Sequence, residues 1–216
     1  MKKDLTCIAV VLDRSGSMAP RRNDVVGGFN SFLREQKAQP GDAIVTLVQF
    51  DHEYEIVHDG IPLKEVPELT ARTYAPRGNT ALLDAVGRAI NTVGAKLAAT
   101  KEKDRPGRVI CLIVTDGEEN ASHEFTKEQI KQMILHQREV YNWDFVFLGA
   151  NVDAFAEASA LGVAFSKGFV ASVQGVRDLW QGTSHAIRSY RSGVSAHDVW
   201  GGGGSQDGES SSGKIH

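Results

Sequence analysis

Leu5-Thr6-Cys7-Ile8-Ala9-Val10-Val11-Leu12, closed by Asp13-Arg14-Ser15-Gly16-Ser17, is the stretch from which the fold can be read. An almost unbroken apolar run of strand length that stops at a turn of small polar residues describes a strand covered on both faces. Such strands belong to parallel sheets with helices above and below. Arg108 to Asp116 repeats the design, Val-Ile-Cys-Leu-Ile-Val over 109–114 and then Thr115-Asp116. Between and after these two strands the periodicity alternates. Val25, Val26, Phe29, Phe32 and Leu33 recur at helical spacing within Val25 to Gln39, before Pro40-Gly41. Ala43 to Phe50 and Glu53 to His58 read as two strands joined at Asp51-His52, an antiparallel hairpin whose second member lies at the sheet edge.

Beyond a loop holding Pro62, Pro67 and Pro76, a helix is expected from Thr80, with Leu82, Leu83, Val86, Ile90, Val93 and Leu97 on its apolar face. Helix Thr126 to Val140, strand Trp143 to Leu148, helix Asp153 to Leu161, a short strand Val163 to Ser166 and a helix from about Ser172 to Arg191 continue the pattern. The fold class this predicts is α/β: a Rossmann-like, doubly wound, mostly parallel sheet with one antiparallel edge strand and helices on both faces. Residues 1–192 form the expected domain, and 193–216 a flexible tail rich in Gly and Ser. Trp143 and Trp180 read as core residues.

Composition narrows the function classes. With 24 Lys and Arg against 27 Asp and Glu, the net charge of -3 lacks the basic footprint of a phosphate-backbone reader, so no nucleic acid is expected as partner. No apolar run approaches the roughly 20 residues that a membrane helix needs, and the N-terminal run lacks a small-residue cleavage pattern. A cytoplasmic protein is expected. Cys7 and Cys111 sit inside the two apolar strands as small hydrophobes. If Asp13 and Asp116 occupied equivalent positions, counting back along the alternating faces would set the two thiols on opposite faces, with no disulfide between them.

Open α/β sheets bind ligands beyond the carboxyl ends of their strands, where the strand order reverses. Asp13 closes one such strand and is followed by Ser15 and Ser17, and Asp116 closes the other. Each feature has an ordinary reading as well: Thr80 as a helix N-cap, Asp116-Gly117 as a turn, Ser15-Gly16-Ser17 as a polar turn or an anion-binding nest. Together, however, Asp13-Arg14-Ser15-Gly16-Ser17-Met18, Gly78-Asn79-Thr80-Ala81-Leu82-Leu83-Asp84-Ala85 and Val114-Thr115-Asp116-Gly117-Glu118 resemble the von Willebrand factor type A domain with an intact metal-ion-dependent adhesion site. The likeness runs over residues 4 to about 192, and free-standing bacterial and phage-type members look most similar.

The resemblance implies that Asp13, Ser15, Ser17, Thr80 and Asp116 hold one divalent cation, Ser15 and Ser17 directly, with Thr80 and Asp116 exchanging direct and water-mediated roles. Five oxygen donors without thiolate or imidazole suit a hard ion, magnesium or else manganese. It further implies a protein-binding adaptor that engages a Glu or Asp carboxylate of a partner through that ion. The alternative is a metal-dependent regulatory subunit of a larger ATPase-containing or stress-response complex. An enzyme is not expected: the chain has no Gly-x-x-x-x-Gly-Lys-Ser/Thr loop, no Gly-x-Ser-x-Gly elbow, and no histidine near Ser15 or Ser17 in sequence. Around the crevice, Arg21, Arg22 and Arg77 could steer acidic partners or simply be solvated. Glu118, Glu119, Asn120 and Asn151 could line its mouth or serve ordinary loop and helix-start roles.

Overall fold

The structure, a computed structural model, describes residues 1–116, 119–150, 153–169 and 173–201. Its strands are β1 (Lys2–Asp13), β2 (Asp42–Phe50), β3 (Tyr54–Pro62), β4 (Pro106–Thr115), β5 (Trp143–Ala150) and β6 (Phe165–Phe169). The helices are α1 (Arg22–Lys37), α2 (Leu82–Ala99), α3 (Lys127–Tyr141), α4 (Asp153–Ala160), α5 (Val173–Arg191) and α6 (Ala196–Trp200). The sheet order is β3-β2-β1-β4-β5-β6, and every neighbouring pair is parallel except the β2–β3 hairpin at the edge. The doubly wound expectation holds, with the order reversing between β1 and β4.

Alternation along β1 divides the core in two. Ile8, Val10 and Leu12 face α1 and α5, where Phe29 and Phe32 meet Trp180, whose ring stands edge-on to Phe29 at a centroid distance of 5.6 Å. Cys7, Ala9 and Val11 face α2 and α3, whose Leu82, Val86, Ile90, Ile130 and Ile134 are buried over them. Each such side chain contributes roughly 1.5–3 kcal/mol by leaving water. Close approach of α1 and α5 requires Gly28, because a Cβ there would lie 2.2 Å from Trp180 Cδ1. Trp143 and Trp180 are buried as expected.

Several expectations shift: β3 runs on through Pro62, which was expected in a loop, and the strand expected at Val163 to Ser166 lies at Phe165–Phe169. Helix α2 begins at Leu82, not Thr80, because Thr80 is held outside it by hydrogen bonds on both sides of its backbone, described below. The domain does not end at residue 192: Ser195 caps α6 by accepting from the Asp198 amide at 3.1 Å, and Ala196 is buried in the core. The part of the expected tail from 202 onward lies outside the described residues. Finally, Cys7 and Cys111 are on the same face, contrary to the count from the aspartates. Cys7 pairs with Val109 and Ala9 with Cys111, so Leu12 is level with Val114 and Asp13 with Thr115. Asp116 is one residue further on, and that offset reverses the parity. Both thiols are free and buried, and burial pushes each up to about 12.

Candidate metal centre

Asp13 lies at the reversal of strand order, opposite Phe50 of β2 and level with Thr115 of β4. Its carboxylate is fully buried and held from two directions: Thr115 Oγ1 donates to Oδ2 at 2.5 Å, and the Ser15 amide to Oδ1 at 2.6 Å. The second bond bends the chain back over the strand end, and a 3-10 turn over Gly16–Arg21 follows. Tyr74, also buried, donates its hydroxyl to the Asp13 carbonyl at 2.7 Å. Burial raises the Asp13 carboxyl to about 6; the hydrogen bonds from Thr115 and Ser15 oppose this, and the Asp116 charge adds to it.

The turn brings Ser15 Oγ within 3.0 Å of Ser17 Oγ, and Ser17 Oγ donates to Asp116 Oδ1 at 2.8 Å. Asp13, Ser15, Ser17 and Asp116 are thus linked through one small group of oxygens. Arg21 Nη1 pairs with Asp116 Oδ2 and also donates to the Ser17 carbonyl at 3.2 Å. A guanidinium accordingly rests against the same carboxylate.

The second loop is stitched to the first by backbone. The Gly16 amide donates to the Gly78 carbonyl at 3.0 Å, and the Arg77 amide to the Arg14 carbonyl at 2.8 Å. Gly78 has φ +65°, and a Cβ there would lie 2.2 Å from His52 Nδ1, so only glycine fits. Two residues on, buried Thr80 donates its amide to Asn120 Oδ1 at 2.9 Å, and its carbonyl accepts from the Asn120 and Ala121 amides. The ordinary N-cap role is not taken by its side chain. The first turn of α2 is served from a distant loop instead: Glu119 Oε2 accepts from the Leu83 amide at 3.0 Å and Ser122 Oγ from the Asp84 amide at 3.1 Å. Asp84 answers by accepting from the His123, Glu124 and Phe125 amides. Among the described residues the Thr80 hydroxyl makes no hydrogen bond and remains available as an oxygen donor.

Sequence reasoning therefore placed Glu119 and Asn120 near the crevice, where they serve as clamps for α2 and for Thr80. Glu118 and Asn151 lie outside the described residues. Arg77 is not a free cation: its Nε donates to Asp51 Oδ2 at 2.9 Å, and its Nη2 pairs with Glu53. Thr115, Tyr74, Asp51 and Asp84 were missed. Thr115 could have been found from the strand register; Tyr74 leaves no signal in the sequence.

Among the described residues no three His, Cys, Asp or Glu side chains gather as metal ligands. What gathers is two carboxylates with hydroxyls, a donor set for a hard cation, and the Arg21 guanidinium already lies on one of those carboxylates. The residues present fit a divalent ion.

The fold can be compared with solved structures. A von Willebrand factor type A protein from Catenulispora acidiphila superposes with a TM-score of 0.55 at 13% identity, covering 87% of this chain and 43% of that one. The chain has the von Willebrand factor type A fold. BatB, a conserved hypothetical protein from Bacteroides thetaiotaomicron, matches with a TM-score of 0.54 at 14% identity over 86% of this chain and 99% of its own. Proximal thread matrix protein 1 of the mussel byssus, solved with a zinc-occupied MIDAS motif, gives 0.58 at 13% identity over 83% of this chain and 47% of its own. The chain spans less than half the length of the first and the last of these. No family model and no curated protein matches the sequence. No helix among the described residues is long and apolar enough to cross a membrane.

Proposed function

We propose that this type A fold is a divalent-metal-dependent protein-binding module, in which Asp13, Ser15, Ser17, Thr80 and Asp116 hold magnesium and a partner contributes an Asp or Glu carboxylate. The observation that carries the reading is the convergence of Ser15, Ser17 and Asp116 beside buried Asp13 at the reversal of strand order. A divalent cation bound there would supply positive charge for an incoming carboxylate. The chain's own residues set how much of that charge survives. Ser15 and Ser17 present neutral oxygens, so they bind without quenching it, and the Thr80 hydroxyl, without a hydrogen bond among the described residues, is spared the capping role that Glu119 and Ser122 fill.

A mussel byssus protein of the same fold carries zinc at its MIDAS motif, which supports a divalent site. The all-oxygen donor set here favours magnesium or manganese. Binding and not catalysis is the reading because the Ser15 and Ser17 hydroxyls contact each other and Asp116, and no histidine among the described residues is hydrogen-bonded to either. A cytoplasmic location accords with two reduced, buried cysteines.

The experiment is calorimetric titration of metal-stripped protein with magnesium, followed by affinity capture of partners with and without EDTA. One saturable site, abolished in Ser15→Ala/Ser17→Ala while the fold is retained, is the expected outcome. Absence of saturable heat and of any thermal shift at millimolar metal refutes the metal site. Capture that survives EDTA refutes the bridged carboxylate.

A further inference from the structure

The centre of the hairpin connection between β2 and β3 holds a carboxylate for which the metal centre has no direct use. Asp51 is completely buried. Its Oδ2 accepts from Arg14 Nε at 3.0 Å and from Arg77 Nε at 2.9 Å, while Oδ1 accepts from the Glu53 amide at 2.6 Å. Its carbonyl accepts from the Ala81 amide at 2.9 Å. Arg14 lies between Asp13 and Ser15, Arg77 precedes Gly78, and Ala81 follows Thr80. One residue therefore grips both loops that carry the candidate ligands, each through a neighbour of a candidate ligand or of Gly78. The outer ends of the two guanidinium groups are closed by the exposed carboxylates of Glu55, on Arg14, and Glu53, on Arg77.

We infer that Asp51 is a positioning residue: by binding Arg14 and Arg77 on one carboxylate it fixes the Asp13–Ser17 loop against the Gly78–Thr80 loop, and so sets metal affinity without touching the metal. The inference rests on the metal reading above. Among the described residues two backbone bonds join the loops, Gly16 to Gly78 and Arg77 to Arg14, and both are between neutral groups. The Asp51 grip is buried, charged and forked, and such hydrogen bonds are roughly twice as strong as neutral ones. Burial alone would raise the Asp51 carboxyl. The bonds from Arg77 and the Glu53 amide and the charges of Arg14 and Arg77 more than offset it and hold the group below the ordinary carboxylate value, so it stays ionised.

The test compares wild-type protein with Asp51→Asn, which keeps the shape and removes the charge, and with Arg77→Gln, whose half-exposed side chain can be lost without endangering folding. Manganese dissociation constants are measured by calorimetry well below the melting temperature. Asp51→Asn is expected to weaken binding about tenfold and Arg77→Gln about threefold, with Arg77→Lys partly restored. The double variant should be no weaker than Asp51→Asn, since the arginine acts through the aspartate. Ile110→Val, a core change on β4 remote from both loops, controls for stability and should leave affinity unchanged. In metal-free Asp51→Asn the Gly16 and Arg77 amides should exchange with solvent at least tenfold faster than in wild type. Unchanged affinity in folded Asp51→Asn, additive effects in the double variant, or equal weakening by Ile110→Val overturns the positioning role. Failure of the wild-type chain itself to bind manganese overturns the metal reading instead.

Discussion

Lowering the pH from 7 to 5 should weaken metal binding about tenfold, and Asp13 alone is sufficient to produce the effect. Its carboxyl is raised to about 6 by burial, so in the metal-free fold it is about nine-tenths ionised at pH 7 and about one-tenth at pH 5. A cation competes with that proton, and the apparent affinity follows the ionised fraction. The sign for stability is the reverse. A carboxyl raised from 3.8 binds its proton more tightly in the folded than in the unfolded chain, so this group's contribution is fully present below about pH 4 and is lost as the pH rises through 6. The loss amounts to about 3 kcal/mol for a shift of roughly two units. Bound metal removes the penalty, so the thermal shift given by magnesium should grow between pH 5 and pH 7 while the metal-free melting temperature declines. Calorimetry at the two pH values, with Asp13→Asn as the control lacking the dependence, decides it. Dissociation constants within twofold of each other at pH 5 and pH 7 would refute the reasoning.

Other outcomes follow from the same contacts. Arg21→Ala removes a cation that competes for Asp116 and should tighten magnesium binding about fivefold, equivalent to about 1 kcal/mol, as read by titration. Glu119→Ala strips the start of α2 of its trans cap and should cost about 1–2 kcal/mol, seen as a melting temperature about 3–6 °C lower. Gly28→Ala drives a methyl into Trp180 and should cost about 1–3 kcal/mol in urea unfolding, with a change in tryptophan fluorescence. Cys7 and Cys111, each pushed up to about 12, should resist a thiol reagent at pH 8 in the native protein and both react in urea.

The sheet and its helices were legible because apolar runs such as Leu5 to Leu12 and Val109 to Val114 have one physical solution, a strand buried on both faces. The loops that carry the candidate ligands stood out because small polar residues at those strand ends are conspicuous. What escaped was whatever depends on register or on partners distant in sequence. The thiols were assigned to opposite faces because Asp116 was taken as the equivalent of Asp13, and only the pairing of Leu12 with Val114 reveals the one-residue offset. Thr80 read as the residue that opens α2 because the residues that cap the helix from outside, Glu119 and Ser122, come about forty positions later. Asp51 looked like a turn residue, since nothing in the local sequence shows that Arg14 and Arg77 return to it.

The cap on α2 has a mechanical side. Glu119, Asn120 and Ser122 fasten the loop after β4 to the start of α2, and Asp84 fastens it back, so Thr80 and the 119–125 segment are tied into one hydrogen-bonded unit. The Asp13–Ser17 turn, carried on β1, belongs to another. The candidate ligands thus straddle a seam, with Asp51 as a rivet that is always in place and the cation as one that can be inserted or withdrawn. A pull that parts β1 from α2 would have to shear both, so under single-molecule force the unfolding load should respond to magnesium even where the resting shape of the domain does not.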